Sequence, residues 1–185
     1  MSFKNILCFG TLNPDLIYFV DELPNKGDDI RSLKSSIRPG GTAINCSELI
    51  SLWNKSVHVR GNSIGSDPMG KYLVDYLKEN NINFDGLIIN QSLTPTCSIF
   101  VDSSGERTIV SSGYEGLEWS NFENLNNFDS LIIDRYSIKF IKDKLKDLKK
   151  QNNLFVCQAG YEYEINYKLD FLIVSKDEIL SLIHI

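Results

Sequence analysis

Short apolar runs alternate with amphipathic stretches along most of this 185-residue chain, and that alternation limits its fold more than any other feature. The runs are 5–10 (NILCFG), 57–61 (VHVRG), 86–90 (GLIIN), 130–135 (SLIIDR), 154–160 (LFVCQAG) and 170–175 (DFLIVS). Each has the length of a buried strand and is too short for a core helix. The stretches between them carry helical spacing. After Gly40-Gly41, the residues Cys46, Leu49, Ile50 and Trp53 fall at i, i+3, i+4 and i+7, which predicts one inward helix face. In 65–80, Asp67 is placed as an N-cap with Pro68 at the first helical position, and Met69, Leu73 and Leu77 share a face. In 137–150, Ile138, Ile141, Leu145 and Leu148 make an inner face, while lysines and aspartates share a solvated outer one. Strands alternating with helices predict an α/β fold: a mainly parallel sheet covered by helices on both faces.

Two segments break the alternation. After a turn-rich 11–15 (TLNPD), 16–23 and 28–37 read as an antiparallel pair. So do 98–102 and 107–112, on either side of Ser103-Ser104-Gly105-Glu106. Together they predict a small antiparallel insertion beside the main sheet. A further helix begins in 176–185, where Ile179, Leu180, Ile183 and Ile185 lie close to the end of the sequence. Apolar residues left there predict that the fold continues or that something else covers them. No repeat, low-complexity tract or Pro/Ser-rich linker divides the chain.

Composition narrows the function. A hydrophobic fraction of 42% and a charged fraction of 23% read as soluble and globular. A net charge of −5 gives no overall attraction for nucleic acid. No apolar run approaches the ~20 residues of a membrane span, and none resembles a secretory leader. A cytoplasmic protein with neither membrane nor nucleic-acid partner is expected. Cys8, Cys46, Cys97 and Cys157 are widely spaced without a C-x-x-C pair, so buried free thiols are expected rather than a metal or redox site. Two histidines leave little material for a zinc site or a Ser-His-Asp triad.

Three groups of residues could carry chemistry. Asn13 and Asp15 follow the first strand, where ligands sit in open α/β sheets, and an amide with a carboxylate can grip hydroxyls. Taken alone, N-P-D is a good turn sequence and reads first as an Asx-turn. Gly40-Gly41 leading to Asn45 lets a ligand approach the backbone and the free N–H groups of a helix start. A turn packed tightly on the sheet has the same appearance. The stretch 104–108 (SGERT) is either a plain hairpin turn or a flap reaching over a site.

The order of these pieces resembles the ribokinase/PfkB family of carbohydrate kinases. The matching run is G-x-x-x-x-D from Gly10 to Asp15, then V-D-E-L-P-x-x-G from Val20 to Gly27 and G-G-x-x-x-N from Gly40 to Asn45. I-G-S-D-P-M-G from Ile64 to Gly70, Thr94-Pro95-Thr96 and S-G-E-R-T-I from Ser104 to Ile109 follow. GGTAIN and SGERTI look closer to ketohexokinase-like and fructose-derivative kinases than to ribokinase proper. The resemblance implies a Rossmann-like ribokinase fold spanning 1–185 as the N-terminal part of a kinase domain. A β-lid is implied, built from 16–37 and 96–112, able to serve as a homodimer contact. It implies sugar binding at Asp15, Gly40, Gly41 and Asn45 with Asn13 beside them, Arg135 near the sugar, and transfer of the ATP γ-phosphoryl with Mg²⁺.

The sequence also departs from the family pattern. Thr42 stands where ribokinases often carry lysine. The Gly-Ala-Gly-Asp turn that supplies the family's base and anion hole does not occur in it. DFLIVSKDE resembles the segment of the family's N-x-x-E motif, with Ser175 in the Asn position and Glu178 left as the residue toward Mg²⁺ and phosphate. A catalytically incomplete chain is expected: a sugar-binding and lid portion that does not phosphorylate sugar by itself. The alternative is a non-catalytic sugar-binding or dimerisation module.

Overall fold

The computed structural model describes residues 4–53, 55–121, 125–152, 154–160, 168–176 and 178. Its central sheet has five parallel strands: β1 (Asn5–Gly10), β4 (Ser56–Gly61), β9 (Ser130–Asp134), β10 (Phe155–Ala159) and β11 (Phe171–Ile173). Their spatial order is β11-β10-β9-β1-β4. The inner strands β1 and β9 are apolar because both faces are covered, whereas the edge strand β11 is exposed. On one face α1 (Thr42–Ser51) and α2 (Pro68–Glu79) pack through Ala43, Ile44, Leu73 and Leu77 onto Ile6, Cys8, Val57 and Val59. On the other, α3 (Ile138–Asn152) packs Ile138, Ile141 and Leu145 onto Leu7, Phe9, Leu131 and Ile133. Each fully buried side chain of this size contributes ~1.5–3 kcal/mol of transfer free energy.

A second sheet lies beside the first. It is built from β2 (Asn13–Phe19), β3 (Lys34–Gly40), β7 (Thr96–Val101) and β8 (Arg107–Ser112), in the order β3-β2-β7-β8. The two expected pairs are antiparallel, with Asp15 opposite Arg38 and Ile99 opposite Ile109. The pairs are joined by a parallel contact, β2 to β7, so the insertion is mixed rather than purely antiparallel. A small parallel pair, β5 (Ile64–Gly65) with β6 (Ile89–Asn90), completes the strands; only two residues of the 86–90 run are paired.

The sequence reading is corrected in several places. Asn13, Pro14 and Asp15 belong to β2 and not to a turn, because Asn13 pairs with Gly40 across the sheet. Pro14 lies opposite Pro39, just before the β2–β7 pairing begins at Asp15. β2 ends at Phe19 rather than at residue 23, and β3 begins six residues later than the 28–37 run. The inner face of α1 is Ala43, Ile44, Ser47 and Ile50. Of the expected face only Ile50 is buried, and Leu49 and Trp53 are 60% and 70% exposed. Small residues at 43 and 47 let the helix lie close to the sheet, and this close packing overrides the large-residue pattern. All four cysteines are free, but only Cys8 is buried. Leu148 and the apolar residues of 179–185 lie outside what is described of side chains.

Candidate functional site

The sheet order places a crevice. From β1 the chain crosses to β4 on one side, while β9 arrives on the other. Connections leaving in opposite directions open a space beyond the carboxyl ends of β1 and β9. Asp134, at the end of β9 and 2% exposed, organises that space. Its Oδ2 accepts from Thr11 N (2.7 Å) and Thr11 Oγ1 (2.9 Å), and its Oδ1 from Tyr136 N (3.0 Å) and Ser137 N (2.7 Å). Four donors compensate one buried carboxylate and tie the two strand ends together. Asn62, fully buried, accepts from Leu12 N (2.8 Å) and donates to Leu12 O (3.0 Å), fixing the chain as it leaves the core sheet.

Thr11 in turn fixes the start of α1. Thr42 N donates to its Oγ1 (3.1 Å) and Ala43 N to its carbonyl oxygen (3.2 Å). Two of the N–H groups expected to be free for a ligand are therefore already occupied. Gly41 occupies the N-cap position with φ 84° and ψ 150°, a combination essentially reserved for glycine. A Cβ there would collide with the Thr11 carbonyl. At Gly40 the place of a Cβ is taken by the Asp15 carboxyl group. The glycine pair thus serves two close approaches, backbone to backbone at Gly41 and carboxylate to backbone at Gly40.

A cleft of about 1140 Å³ lies between the two sheets. The second sheet contributes Asp15, Cys97, Ile99, Arg107, Ile109 and Ser111 to it. Across the cleft stand Thr11, Gly41, Thr42 and Asn45, with Tyr136, Lys139 and Phe140 from the start of α3. The segment 113–117 and Trp119 close one side, and Trp119 stacks on Phe140 with centroids 4.3 Å apart. Asn13 Nδ2 donates to Asp15 Oδ1 at 2.6 Å, and Asn13 Oδ1 accepts from the Tyr114 hydroxyl at 2.8 Å. Burial pushes the Asp15 carboxyl upward; the Asn13 bond and the charge of Arg107 oppose this but do not cancel it. Burial, with Cys97 beside it, pushes the Tyr114 hydroxyl far above its usual range.

Of the expected site residues, Asn13, Asp15, Gly41 and Asn45 line one cleft, and Gly40 makes room for Asp15 without lining it. Arg135 stands apart. Its Nη1 pairs with Glu178 Oε1 (3.2 Å), and its Nη2 donates to the Tyr136 hydroxyl (2.8 Å). Glu178 also accepts from Ser175 N (2.7 Å), and its own N–H donates to Ser175 Oγ (3.2 Å). This reciprocal pair is a capping box. It accounts locally for a serine three residues before the glutamate.

Two other sequence signals have structural roles. Asp67 Oδ1 accepts from Gly70 N (2.8 Å) and Thr94 Oγ1 (2.8 Å), and its Oδ2 accepts from Thr94 N (2.7 Å). I-G-S-D-P-M-G and T-P-T are thus two halves of one helix cap. Around Gly105, Asp102 Oδ1 accepts from Ser104 N (2.8 Å), Ser104 Oγ (2.6 Å) and Glu106 N (3.1 Å). SGE is therefore the turn itself, and the residues reaching the cleft come from the strand after it. Thr11, Asp134 and Tyr114 were not singled out from the sequence as site residues, whereas Arg107 belongs to the 104–108 stretch read as a possible flap. The position of Asp134 at the carboxyl end of a buried strand was the available signal.

The model of the pfkB family of carbohydrate kinases matches residues 4–159. A ribokinase of Dictyostelium discoideum is 25% identical over 175 residues, covering 94% of this chain and 48% of the relative. A ketohexokinase of Mus musculus is 30% identical over 112 residues, 60% of this chain and 37% of that one. Among solved structures, a putative ribokinase from Agrobacterium tumefaciens superposes with a TM-score of 0.81 at 17% identity, covering 100% of this chain and 63% of the other. A ribokinase of Arabidopsis thaliana complexed with ribose and ATP gives 0.75 at 16% identity, covering 97% and 62%. These likenesses show the ribokinase fold. The chain spans about half the length, or less, of the curated relatives it matches.

Proposed function

Because the chain belongs to the pfkB family of carbohydrate kinases, we propose that these 185 residues form the sugar-gripping and lid portion of such a kinase. One observation carries this reading. Asp15 comes from one stretch of sequence and Gly41 with Asn45 from another, yet all three line one cleft between the central sheet and the β2-β3-β7-β8 sheet. Asp15 accepts hydroxyl protons, Asn45 offers both a donor and an acceptor, and Gly41 brings the backbone close. Trp119 stacked on Phe140 presents an apolar wall suited to the C–H face of a sugar ring. Arg107, Ile109 and Ser111 reach in from the second sheet, which acts as the lid over the sugar.

Phosphoryl transfer needs a nucleotide, a base and donors for the developing charge. ATP and Mg²⁺ are what the family implies. Among the described residues no group of three or more His, Cys, Asp or Glu side chains could hold a metal ion. Glu178, the carboxylate assigned to Mg²⁺ and phosphate, is bonded to Arg135 and Ser175. This pairing leaves the described residues without the ligand set of a nucleotide or metal site. On the reading that the family's base and anion hole are missing from these 185 residues, they bind sugar without phosphorylating it, and Arg135, paired with Glu178, serves that side of the crevice.

A second reading, a binding or dimerisation module, draws support from the lid, where Ile37 and Val110 are about half exposed. A homodimer through the lid would cover them. Among the described residues no helix is long and apolar enough to cross a membrane. Isothermal titration with ribose and fructose, alongside a coupled ATP-turnover assay, tests the proposal. Millimolar or tighter binding, lost in Asn45→Ala, is expected without turnover. Absence of binding by both sugars refutes the grip, and ATP-dependent turnover that vanishes in Asp15→Ala refutes the incompleteness.

A further inference from the structure

Asn13 is 2% exposed and fully engaged. Its Oδ1 accepts from Tyr114, and its Nδ2 donates to Asp15 Oδ1 and, at 3.3 Å, to the Pro14 carbonyl. The chemistry sets the direction of this chain of bonds. An ionised carboxylate only accepts, so the amide must turn its NH₂ toward Asp15 and its oxygen toward Tyr114. Tyr114 must then donate. The asparagine beside the sugar position thus has no donor left for a sugar, and Asp15 keeps one oxygen, Oδ2, outside the chain of bonds.

We propose that Tyr114 is a positioning residue that acts through Asn13 to orient the Asp15 carboxylate and hold it ready to accept hydroxyl protons. This rests on the sugar-grip reading for its purpose, but not for its geometry. Tyr114 is well placed for the task. It sits in the segment between β8 and the core, and its hydroxyl reaches across to β2, 101 residues away in sequence. Cys97 Sγ lies 3.6 Å from the same hydroxyl, on the strand paired with β2. A hydroxyl polarised by the Asn13 carbonyl withdraws electron density from that amide. The amide N–H toward Asp15 becomes the stronger donor, as in other cooperative networks.

The other charged or titratable groups around Asp15 are Arg38 opposite it on β3, Cys97 opposite it on β7 and Arg107 on β8. Glu115 and Lys139 face the same cleft from the 113–117 segment and α3. None of these donates to Asn13 Oδ1 in the structure, so Tyr114 can be tested alone.

The test is the titration of the Asp15 carboxyl carbon by NMR in the sugar-free chain and in Tyr114→Phe. Loss of the hydroxyl leaves Asn13 free to turn, and the Asp15 midpoint moves upward. In the same variant, sugar affinity falls about 3–10-fold at neutral pH, and its decline with acidity begins at a higher pH. Superimposable Asp15 curves for the two proteins overturn the proposal. Should Tyr114→Phe not fold, the unmodified chain still decides it. The Asn13 side-chain amide protons and the Tyr114 ring must titrate with the Asp15 midpoint, and a Tyr114 ring blind to that midpoint overturns the proposal. If the unmodified chain binds no sugar, the grip reading fails while the carboxyl titration still judges the Tyr114 relay.

Discussion

Replacing Gly41 with alanine tests whether the glycine pair exists for close approach. Gly41 adopts φ 84° and ψ 150°, and holding an L-residue there costs on the order of 1–3 kcal/mol. The added methyl group would also meet the Thr11 carbonyl and Leu12 N. Neither can retreat easily. Thr11 is bonded twice to Asp134 and twice to the start of α1, and Leu12 N is bonded to Asn62. Overpacking against fixed backbone adds about 1–3 kcal/mol, so the expected loss is about 2–6 kcal/mol, with a central value of about 4. Gly105→Ala is the control. Gly105 has φ 85° but nothing within 4 Å of an added Cβ, so the substitution meets torsional strain alone, about 1–2 kcal/mol. In urea unfolding, with a slope of roughly 2–3 kcal/mol per molar, Gly41→Ala lowers the midpoint by about 1–2 M. Gly105→Ala lowers it by less than about half of that. Equal shifts for the two variants would refute the close approach at Gly41.

Three further outcomes follow from the same geometry. Asp15→Asn keeps the shape and still accepts from Asn13. The folded carboxyl titrates above its unfolded value, so ionising it opposes folding, and that loss accrues as pH rises from the unfolded pKa through the folded one. The variant is therefore expected to melt a few degrees higher at pH 7, with the gain vanishing below about pH 4, while sugar binding falls more than tenfold. A lower melting point at pH 7 contradicts this. At Asp67 burial pushes the carboxyl up, but the bonds from Thr94 and Gly70 outweigh it and hold the group below its usual value. Its contribution is present above the unfolded pKa and lost as pH falls through the folded one. Asp67→Ala should cost about 1–3 kcal/mol at neutral pH, and its melting point should fall less steeply than the parent's below about pH 4. Leu145→Ala, deep under α3 at 2% exposure, should lower stability by about 2–5 kcal/mol in denaturant titration without changing sugar affinity.

Much of the fold was legible because buried parallel strands have no polar face. The five runs that form the central sheet could scarcely be anything else, and Asp67-Pro68 announced α2 through local cap chemistry. The misreadings occur where packing overrides pattern. On α1 the buried stripe contains Ala43 and Ser47, residues no hydrophobicity pattern selects, so the larger Leu49 and Trp53 drew the assignment. In β2, N-P-D has turn chemistry, and only pairing with β3, some 25 residues away, makes it strand. The parallel contact between β2 and β7 is set by chain crossing, which no local residue encodes.

The site divides in the same way. Asp15, Gly41 and Asn45 were readable because their spacing follows the family's order. Tyr114 and Asp134 were not, because each acts through a partner more than 100 residues distant in sequence. Arg135 was read from its place at a strand end near a family sugar position, but its guanidinium is bonded to Glu178 and Tyr136, and it is not among the residues lining the cleft.

The central claim is that the cleft between the two sheets holds a sugar, and amide NMR of the isotope-labelled chain during sugar titration measures it most directly. The account predicts saturable shifts in the Gly41 and Thr42 backbone amides and the Asn45 side-chain amide, all with one dissociation constant and all absent in Asp15→Asn. Shifts that spare these residues, or that persist unchanged in Asp15→Asn, would contradict it.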